Sequence, residues 1–473
     1  MWGGRGLAYD VAIVGSGFSA TAVGVHLLQS LPASASIAVV GDDPAFGRGT
    51  AYRTEFHLHR LNVPAGRMSL FPDAPDHFLQ WLEQRGRGLS RDYFASRGDY
   101  GLYLRDTLAS LLRDRASRAR LDFIKAKATG CVSLQDEGLS FQLADGQALQ
   151  ARAVAVCLGV GAAGLPLRDA RIADAAWRHI VRNPWQLQWL SKVKPEDTVC
   201  ILGSGLTMID QVLTLRARGH RGTLHVLSRR GLVPHAHTHA HAHVHGRQHG
   251  TPVVPDLPGD PLTASGILAA LRAQVRKGAD WRSVMDGLRP RTQALWQRLP
   301  AAERSRFLRH GLAWWNIHRH RLAPAVFARF DALIRDGQVK VHAGFLDEIS
   351  MDGGRPCLVY RPRGGQGVAQ LTADWVINCT GMERAGLAHS PLLTQMADQG
   401  IVVPDALGLG LQVDGGSRAV GRDGRARTGL YAVGALTAGQ FWEITAVPDI
   451  RVQAQNVANA IAASVATTMP SIA

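Results

Sequence analysis

Two β-rich runs near residues 10 and 200 each meet a glycine turn, then a helical pattern, then a second strand. Three more apolar runs end in glycine, at Gly159, Gly381 and Gly434. Together these observations predict an α/β fold with two Rossmann-like dinucleotide-binding domains. A helical insertion sits inside the second of them.

The first unit opens with Tyr9-Asp10-Val11-Ala12-Ile13-Val14 and runs into Gly15-Ser16-Gly17-Phe18-Ser19-Ala20. A helix pattern reaches Leu31, and Ser36-Ile37-Ala38-Val39-Val40 forms the next strand before Gly41-Asp42. The spacing is G-x-G-x-x-A at a strand–helix turn. The glycines permit the tight turn and close approach of a pyrophosphate. The helix N-terminus offers N–H groups and the positive end of its dipole. Asp42, 22 residues after Ala20, is the acid expected at a ribose. The run Val11 to Gly41 holds no Asp, Glu, Lys or Arg, long enough for a membrane span, but its Gly, Ser and Pro residues break any single apolar helix. No span and no export signal is expected.

The second unit repeats the pattern. Thr198 to Leu202 leads into Gly203-Ser204-Gly205-Leu206-Thr207-Met208, a helix pattern reaches Arg218, and the strand Thr223 to Ser228 ends in Arg229-Arg230. A basic strand end suits the 2′-phosphate of NADP and disfavours NAD; the bland reading leaves both as solvated Arg. Two units imply two nucleotides. Hydride chemistry needs a donor and an acceptor, so the economical pair is FAD with NADPH, NADH being the less favoured donor. The alternative is that one unit has lost its ligand. The expected organisation is a split FAD-binding domain, 1–170 and 351–473, with the NAD(P)H-binding domain, 171–350, inserted.

Between these parts lies a different kind of segment. Seven His fall between His235 and His249, six of them alternating, among them His237, His239, His241 and His243. On a strand those imidazoles would share one face and could hold Zn, Ni or Cu. No Cys or acid joins them, so a low-complexity loop is the favoured reading and no metal is expected. A Pro-rich connector follows, and residues 262–335 read as helices rich in Arg and Trp. Their Arg could meet an acidic substrate or be solvated helix faces.

Composition narrows the classes. The chain has 473 residues, 46% hydrophobic and 19% charged, which excludes a disordered, collagenous or coiled-coil protein. Its net charge is +15, but only six of the 53 basic residues are Lys and no basic block of five occurs, so nucleic acid is not expected as a partner. Five scattered Cys without a CxxC pair fit a reducing cytoplasm and argue against disulfides, a zinc site or a dithiol centre.

The paired glycine turns resemble the two-dinucleotide-binding-domain flavoproteins, including flavin-containing and N-hydroxylating monooxygenases. Three stretches are more closely similar to a bacterial FAD/NAD(P)-binding protein family: Phe46-Gly47-Arg48-Gly49-Thr50-Ala51-Tyr52, Leu61-Asn62-Val63-Pro64-Ala65-Gly66-Arg67-Met68 and its continuation to Asp73, and Phe441-Trp442-Glu443-Ile444-Thr445 through Arg451. The resemblance implies FAD contacts at Gly15, Gly17, Phe18, Ser19 and Ala20. It also implies Asn62 and Met68 near the flavin ring, and Gly434 beside the ribityl chain, with Gly159 and Gly381 at the two nucleotides. Asp374 through Met382 is similar to the D-x₃-[LF]-ATG-[YF] stretch of N-hydroxylating enzymes. Gly203, Gly205, Leu206, Thr207, Arg229 and Arg230 would hold NADPH.

The implied activity is an NAD(P)H-using flavin oxidoreductase that oxygenates a small molecule. An NAD(P)H:acceptor reductase, or a metal-binding or redox-sensing flavoprotein using the His tract, are the alternatives. The Baeyer–Villiger signature is absent, and Ala435 stands where an acid often follows the strand-end glycine. Catalytic residues are not identified by any motif. His57 and His59, just before Asn62, either face the ring or pack; Trp442 and Glu443 either wall the site or belong to the core.

Overall fold

The computed structural model describes residues 7–43, 46–87, 90–114, 117–134, 138–159, 161, 164–238, 251–381, 387 and 390–468. It contains two sheets, each laid down as the βαβ units require. In the first, Leu7–Val14 is flanked by Ser36–Val40 on one side and Ala148–Val156 on the other, all parallel. Arg120–Ile124 extends one edge, and Ala426–Ala432 the other. The second sheet repeats the arrangement. Val199–Leu202 lies between Leu224–Ser228 and Trp375–Asn378, again parallel, and Val339–Asp352 follows Leu224–Ser228.

The apolar runs form strands buried on both faces, with helices over one face and antiparallel strands contributing to the cover of the other. The Phe18–Ser30 helix and the long Val447–Thr468 helix share one cluster with Val11, Ile13, Ile37 and Val39. On the other face Leu139, Phe141, Leu393 and Met396 close over Ala12, Val14 and Val154. The Leu206–Ala217 helix plays the corresponding part on the second sheet, with Met208, Ile209 and Val212 against Ile201 and Val226. The charge-free run Val11 to Gly41 is thus strand, turn, helix and strand. None of the described helices is long and apolar enough to cross a membrane.

Two expected boundaries move. Arg355–Pro362, Ala369–Thr372 and Trp375–Asn378 all join the second sheet, so the handover at 350 falls inside a hairpin of that sheet rather than between domains. Gly353 and Gly354, both with positive φ, make that hairpin turn. The helical segment also divides. Its last helix, Pro324–Arg335, is the crossover of the second sheet: Phe330 is buried beside Val339, with Val326 and Phe327 packed against the same cluster. The helices between 264 and 319 turn away. Leu295, Trp296 and Leu299 pack with Leu409, and Trp442 lies against the same cluster, so this part of the insertion covers the C-terminal loop of the first domain.

Candidate functional site

The two glycine turns have the same construction. Gly15 has φ +130°, and a Cβ there would lie 2.3 Å from the carbonyl oxygen of Cys157. Gly203 has φ +97°, and a Cβ there would lie 2.3 Å from the carbonyl oxygen of Cys379. The Gly15 N–H donates to Val40 at 2.7 Å and the Gly203 N–H to Leu227 at 2.8 Å. The Cys157 and Cys379 N–H groups donate back to Val14 and Leu202, each at 2.7 Å. Each turn is therefore pressed against the end of the neighbouring strand, where no side chain fits. Gly159 and Gly381, two residues beyond each Cys, have positive φ, and among the described residues nothing lies within 4 Å of where a Cβ on either would stand. The two Cys are buried and burial pushes both thiols up, so they act as small core residues.

The second glycine of each turn caps its helix. Gly17 and Gly205 have nearly identical extended conformations, φ −92° and −85°. Neither cap supplies a side-chain acceptor, so the first N–H groups of each helix point outward without an intrahelical carbonyl. Among the described residues nothing lies within 4 Å of where a Cβ on Gly205 would stand, an open face suited to a pyrophosphate. At the first turn, Gly47-Arg48-Gly49 folds over the helix end. The Gly47 N–H donates to Ser16, Thr21 donates to Gly47, and a Cβ on Gly49 would lie 3.2 Å from Gly17 Cα. This gives the Phe46–Tyr52 stretch its local role: a glycine-lined flap on the phosphate end of the helix. Both donor sets fit a dinucleotide pyrophosphate.

Gly434 completes the first site. With φ +82°, its missing Cβ would lie 2.4 Å from Ser19 Oγ, so the C-terminal strand meets the start of the Phe18–Ser30 helix there. The Gly434 N–H donates to Gln453 Oε1 at 2.8 Å, while the Gln453 amide donates to Ser417 and Thr437, each at 3.0 Å. Gln453 is buried, and no sequence signal marks it.

The remaining candidates separate. Asn62 lines a cleft with Arg60, Leu61, Arg97, Leu206, Asp210, Leu322, Ala323 and Val326, between the first domain and the N-terminus of the second nucleotide helix. Met68, by contrast, is buried in the apolar core with Leu70, Tyr100 and Tyr103. Asp42 is largely exposed and pairs with Lys127 at 3.2 Å, because Gly41 is pressed against Ser16 and turns the next residue outward. Arg229 is exposed and Arg230 half-buried at the end of Leu224–Ser228, and among the described residues neither has a carboxylate partner.

His57 has an exposed side chain. His59 is the residue that turns inward. Its Nε2 lies 2.7 Å from Thr214 Oγ1 and 3.2 Å from the Asp210 carbonyl, on the second nucleotide helix. Burial lowers its pKa, against the pull of Asp210.

Trp442 and Glu443 belong to the docking of the insertion. Trp442 stacks on Trp296 at 4.5 Å, and Trp296 Nε1 donates to Gly439 at 2.7 Å. Glu443 has φ +65°, the left-handed region that a non-glycine residue occupies at a cost of about 1–3 kcal/mol. Its side chain is only 8% exposed and accepts from Trp315 Nε1 at 2.5 Å and Arg319 Nε at 2.7 Å. The carboxylate is thus held by the Leu312–Arg319 helix of the insertion.

Of the metal candidates, His239, His241 and His243 lie outside the described residues, as does Met382. His235 packs against Trp281 and His318. His237 Nε2 lies 3.0 Å from the Asn62 carbonyl, and burial, aided by Arg321, lowers its pKa to about 4. Among the described residues no three His, Cys, Asp or Glu converge as a metal site.

Residues 12–161 match the family model described as FAD-NAD(P)-binding. No curated protein sequence matches the chain. Among solved structures, the reduced form of ornithine hydroxylase from Pseudomonas aeruginosa is similar over 97% of this chain and 99% of that one, with a TM-score of 0.67 and 16% identity. L-lysine 6-monooxygenase from Pseudomonas syringae covers 96% and 99%, with a TM-score of 0.65 and 16% identity. A bacillithiol disulfide reductase from Bacillus cereus covers 97% and 99%, with a TM-score of 0.55 and 14% identity. At these identities the likeness is one of fold, and it extends over the whole chain.

Proposed function

We propose that the protein is an FAD-dependent, NAD(P)H-using oxidoreductase of the monooxygenase kind, acting on a small molecule. The observation that carries this reading is the duplicated turn. Two phosphate-ready helix N-termini, built alike at Gly15–Gly17 and Gly203–Gly205, belong to domains that meet at the cleft lined by Asn62 and Leu206. The family match over 12–161 supports FAD at the first turn. Arg229 and Arg230 support NADPH at the second.

FAD would supply the two-electron chemistry. The chain's own groups would bind and orient the nucleotides, with the insertion helices covering the loop 435–443 and excluding water there. The fold likeness to two N-hydroxylating enzymes favours oxygenation as the fate of the electrons. A reductase is the second reading, favoured by the likeness to a disulfide reductase. A dithiol relay within this chain has no support, since all five Cys are free and buried.

The test is the visible spectrum of the purified protein, followed by anaerobic addition of NADPH. A flavin spectrum bleached by NADPH supports the reading; a colourless protein that takes up no FAD overturns it. Under air, an amine panel that lowers hydrogen peroxide yield per NADPH would select oxygenation over simple reduction.

A further inference from the structure

The contact between the second nucleotide helix and the first domain is polar, buried and directional. Thr214 Oγ1 donates to the Asp210 carbonyl at 2.8 Å. Its hydrogen is thereby committed, so it accepts from His59 Nε2–H at 2.7 Å. His59 Nδ1 then accepts from Thr54 Oγ1 at 2.8 Å, and Thr54 Oγ1 accepts from the Phe56 N–H at 3.2 Å. Because the last acceptor is a carbonyl, the proton between His59 and Thr214 has one place, on His59 Nε2, and burial disfavours a second proton on the ring. A second link runs beside it. Arg97, with 14% of its side chain exposed, reaches the Asp210 carboxylate, 7% exposed, at 3.1 Å. The two first-domain partners are themselves tied, since the Arg97 N–H donates to the His59 carbonyl at 2.8 Å.

A buried ion pair and hydrogen-bond chain recover little net stability, because both partners are desolvated. What they fix is geometry. Asp210 lies one turn beyond the residues that cap the second phosphate site, and Thr214 one turn further. On the other side, His59 is followed directly by Arg60, Leu61 and Asn62, which line the cleft shared with Leu206. One register therefore sets both walls of this cleft.

We infer that His59, Arg97, Asp210 and Thr214 form an interdomain latch that positions the Leu206–Ala217 helix for hydride delivery to the flavin. These are positioning residues: His59 and Thr214 lie outside the lining of the cleft, and Arg97 and Asp210 line it while tied to each other. The inference rests on the reading that NADPH reduces FAD here. Misplacement of reacting groups by about 1 Å can cost on the order of a hundredfold in rate, so loosening the latch should act on the transfer step.

The test is anaerobic stopped-flow reduction of the FAD-loaded protein over a series of NADPH concentrations, with the dithionite-reduced protein re-oxidised by O₂ as the control. Thr214→Val keeps the side-chain shape and removes the hydroxyl; Asp210→Asn removes the ion pair. Each is expected to lower the limiting reduction rate about tenfold or more. The NADPH dissociation constant and the O₂ re-oxidation rate should stay within about threefold, and Thr214→Ser should restore the rate. A limiting rate within twofold of wild type in both FAD-loaded variants overturns the latch alone. So does an equal loss in reduction and re-oxidation, which marks general damage. A wild-type flavin that NADPH does not reduce overturns the functional reading as well, and so separates the two failures.

Discussion

The two glycines of the second turn should respond in opposite ways to the same added methyl group. Gly203→Ala places a Cβ 2.3 Å from the Cys379 carbonyl oxygen and 2.9 Å from Thr380 Cα, both backbone, at φ +97°. The left-handed conformation costs an alanine about 1–2 kcal/mol, and overpacking against backbone about 1–3 kcal/mol more. The expected loss is about 2–5 kcal/mol, a large share of the roughly 5–15 kcal/mol that holds a typical protein folded. Gly205→Ala has φ −85° and no atom within 4 Å of the new Cβ. The stiffer unfolded chain contributes about 0.4–1 kcal/mol, and alanine's poorer capping costs a similar amount. Stability should therefore change by less than about 1 kcal/mol.

The added methyl at 205 would instead stand where the pyrophosphate approaches the helix. NADPH affinity should fall at least tenfold, or about 1.4 kcal/mol. Chemical denaturation followed by circular dichroism reads the first effect, and titration with NADPH of the FAD-loaded protein reads the second. The reasoning fails if Gly205→Ala destabilises as much as Gly203→Ala. It fails also if Gly205→Ala binds NADPH like wild type.

Three further outcomes are expected. Glu443→Ala strands the buried Arg319 guanidinium and the Trp315 N–H, and should cost about 3–5 kcal/mol by urea denaturation; a change below 1 kcal/mol would show that the Glu443 cluster does not anchor the insertion. Gln453→Leu leaves the Gly434 N–H without its acceptor, at about 1–3 kcal/mol, and should weaken FAD retention on gel filtration. His59 and His237 both titrate below their ordinary value because burial disfavours the imidazolium. The unfolded chain then takes up protons first, so their contribution to stability is complete above about pH 6.5 and is lost as pH falls below it, for His237 over the range down to about 4. Melting temperature should be flat above neutrality and decline on acidification; a protein equally stable at pH 5 and 7.5 would contradict this.

How much of the site was legible depends on how far apart its partners lie in the chain. Each glycine turn is a local object: strand, bend and helix cap lie within ten residues, and the demand for φ near +100° or a Cβ-free face is written in Gly15, Gly17, Gly203 and Gly205 themselves. The strands carry their own signal too, because burial on both faces requires unbroken apolar runs such as Val11–Val14 and Val199–Leu202. His59 and Thr214 are separated by 155 residues, and nothing near either predicts the other. The same holds for Glu443 with Arg319, and for the strands over 355–378, whose sheet is chosen by which edge is free rather than by composition.

The sequence by itself determined two glycine-turn units of the dinucleotide-binding kind, for which FAD and NADPH are the proposed pair. Those properties follow from backbone geometry that only particular residues at particular spacings permit. Tertiary structure decided the rest. It turned His59 rather than His57 inward, tied Glu443 to Trp315 and Arg319, and split the helical segment between two domains. It also left Asp42 paired to Lys127 on the surface. Side-chain orientation, burial and long-range partnership depend on packing among distant segments, and a buried polar group takes its role from whichever donors and acceptors the fold delivers to it.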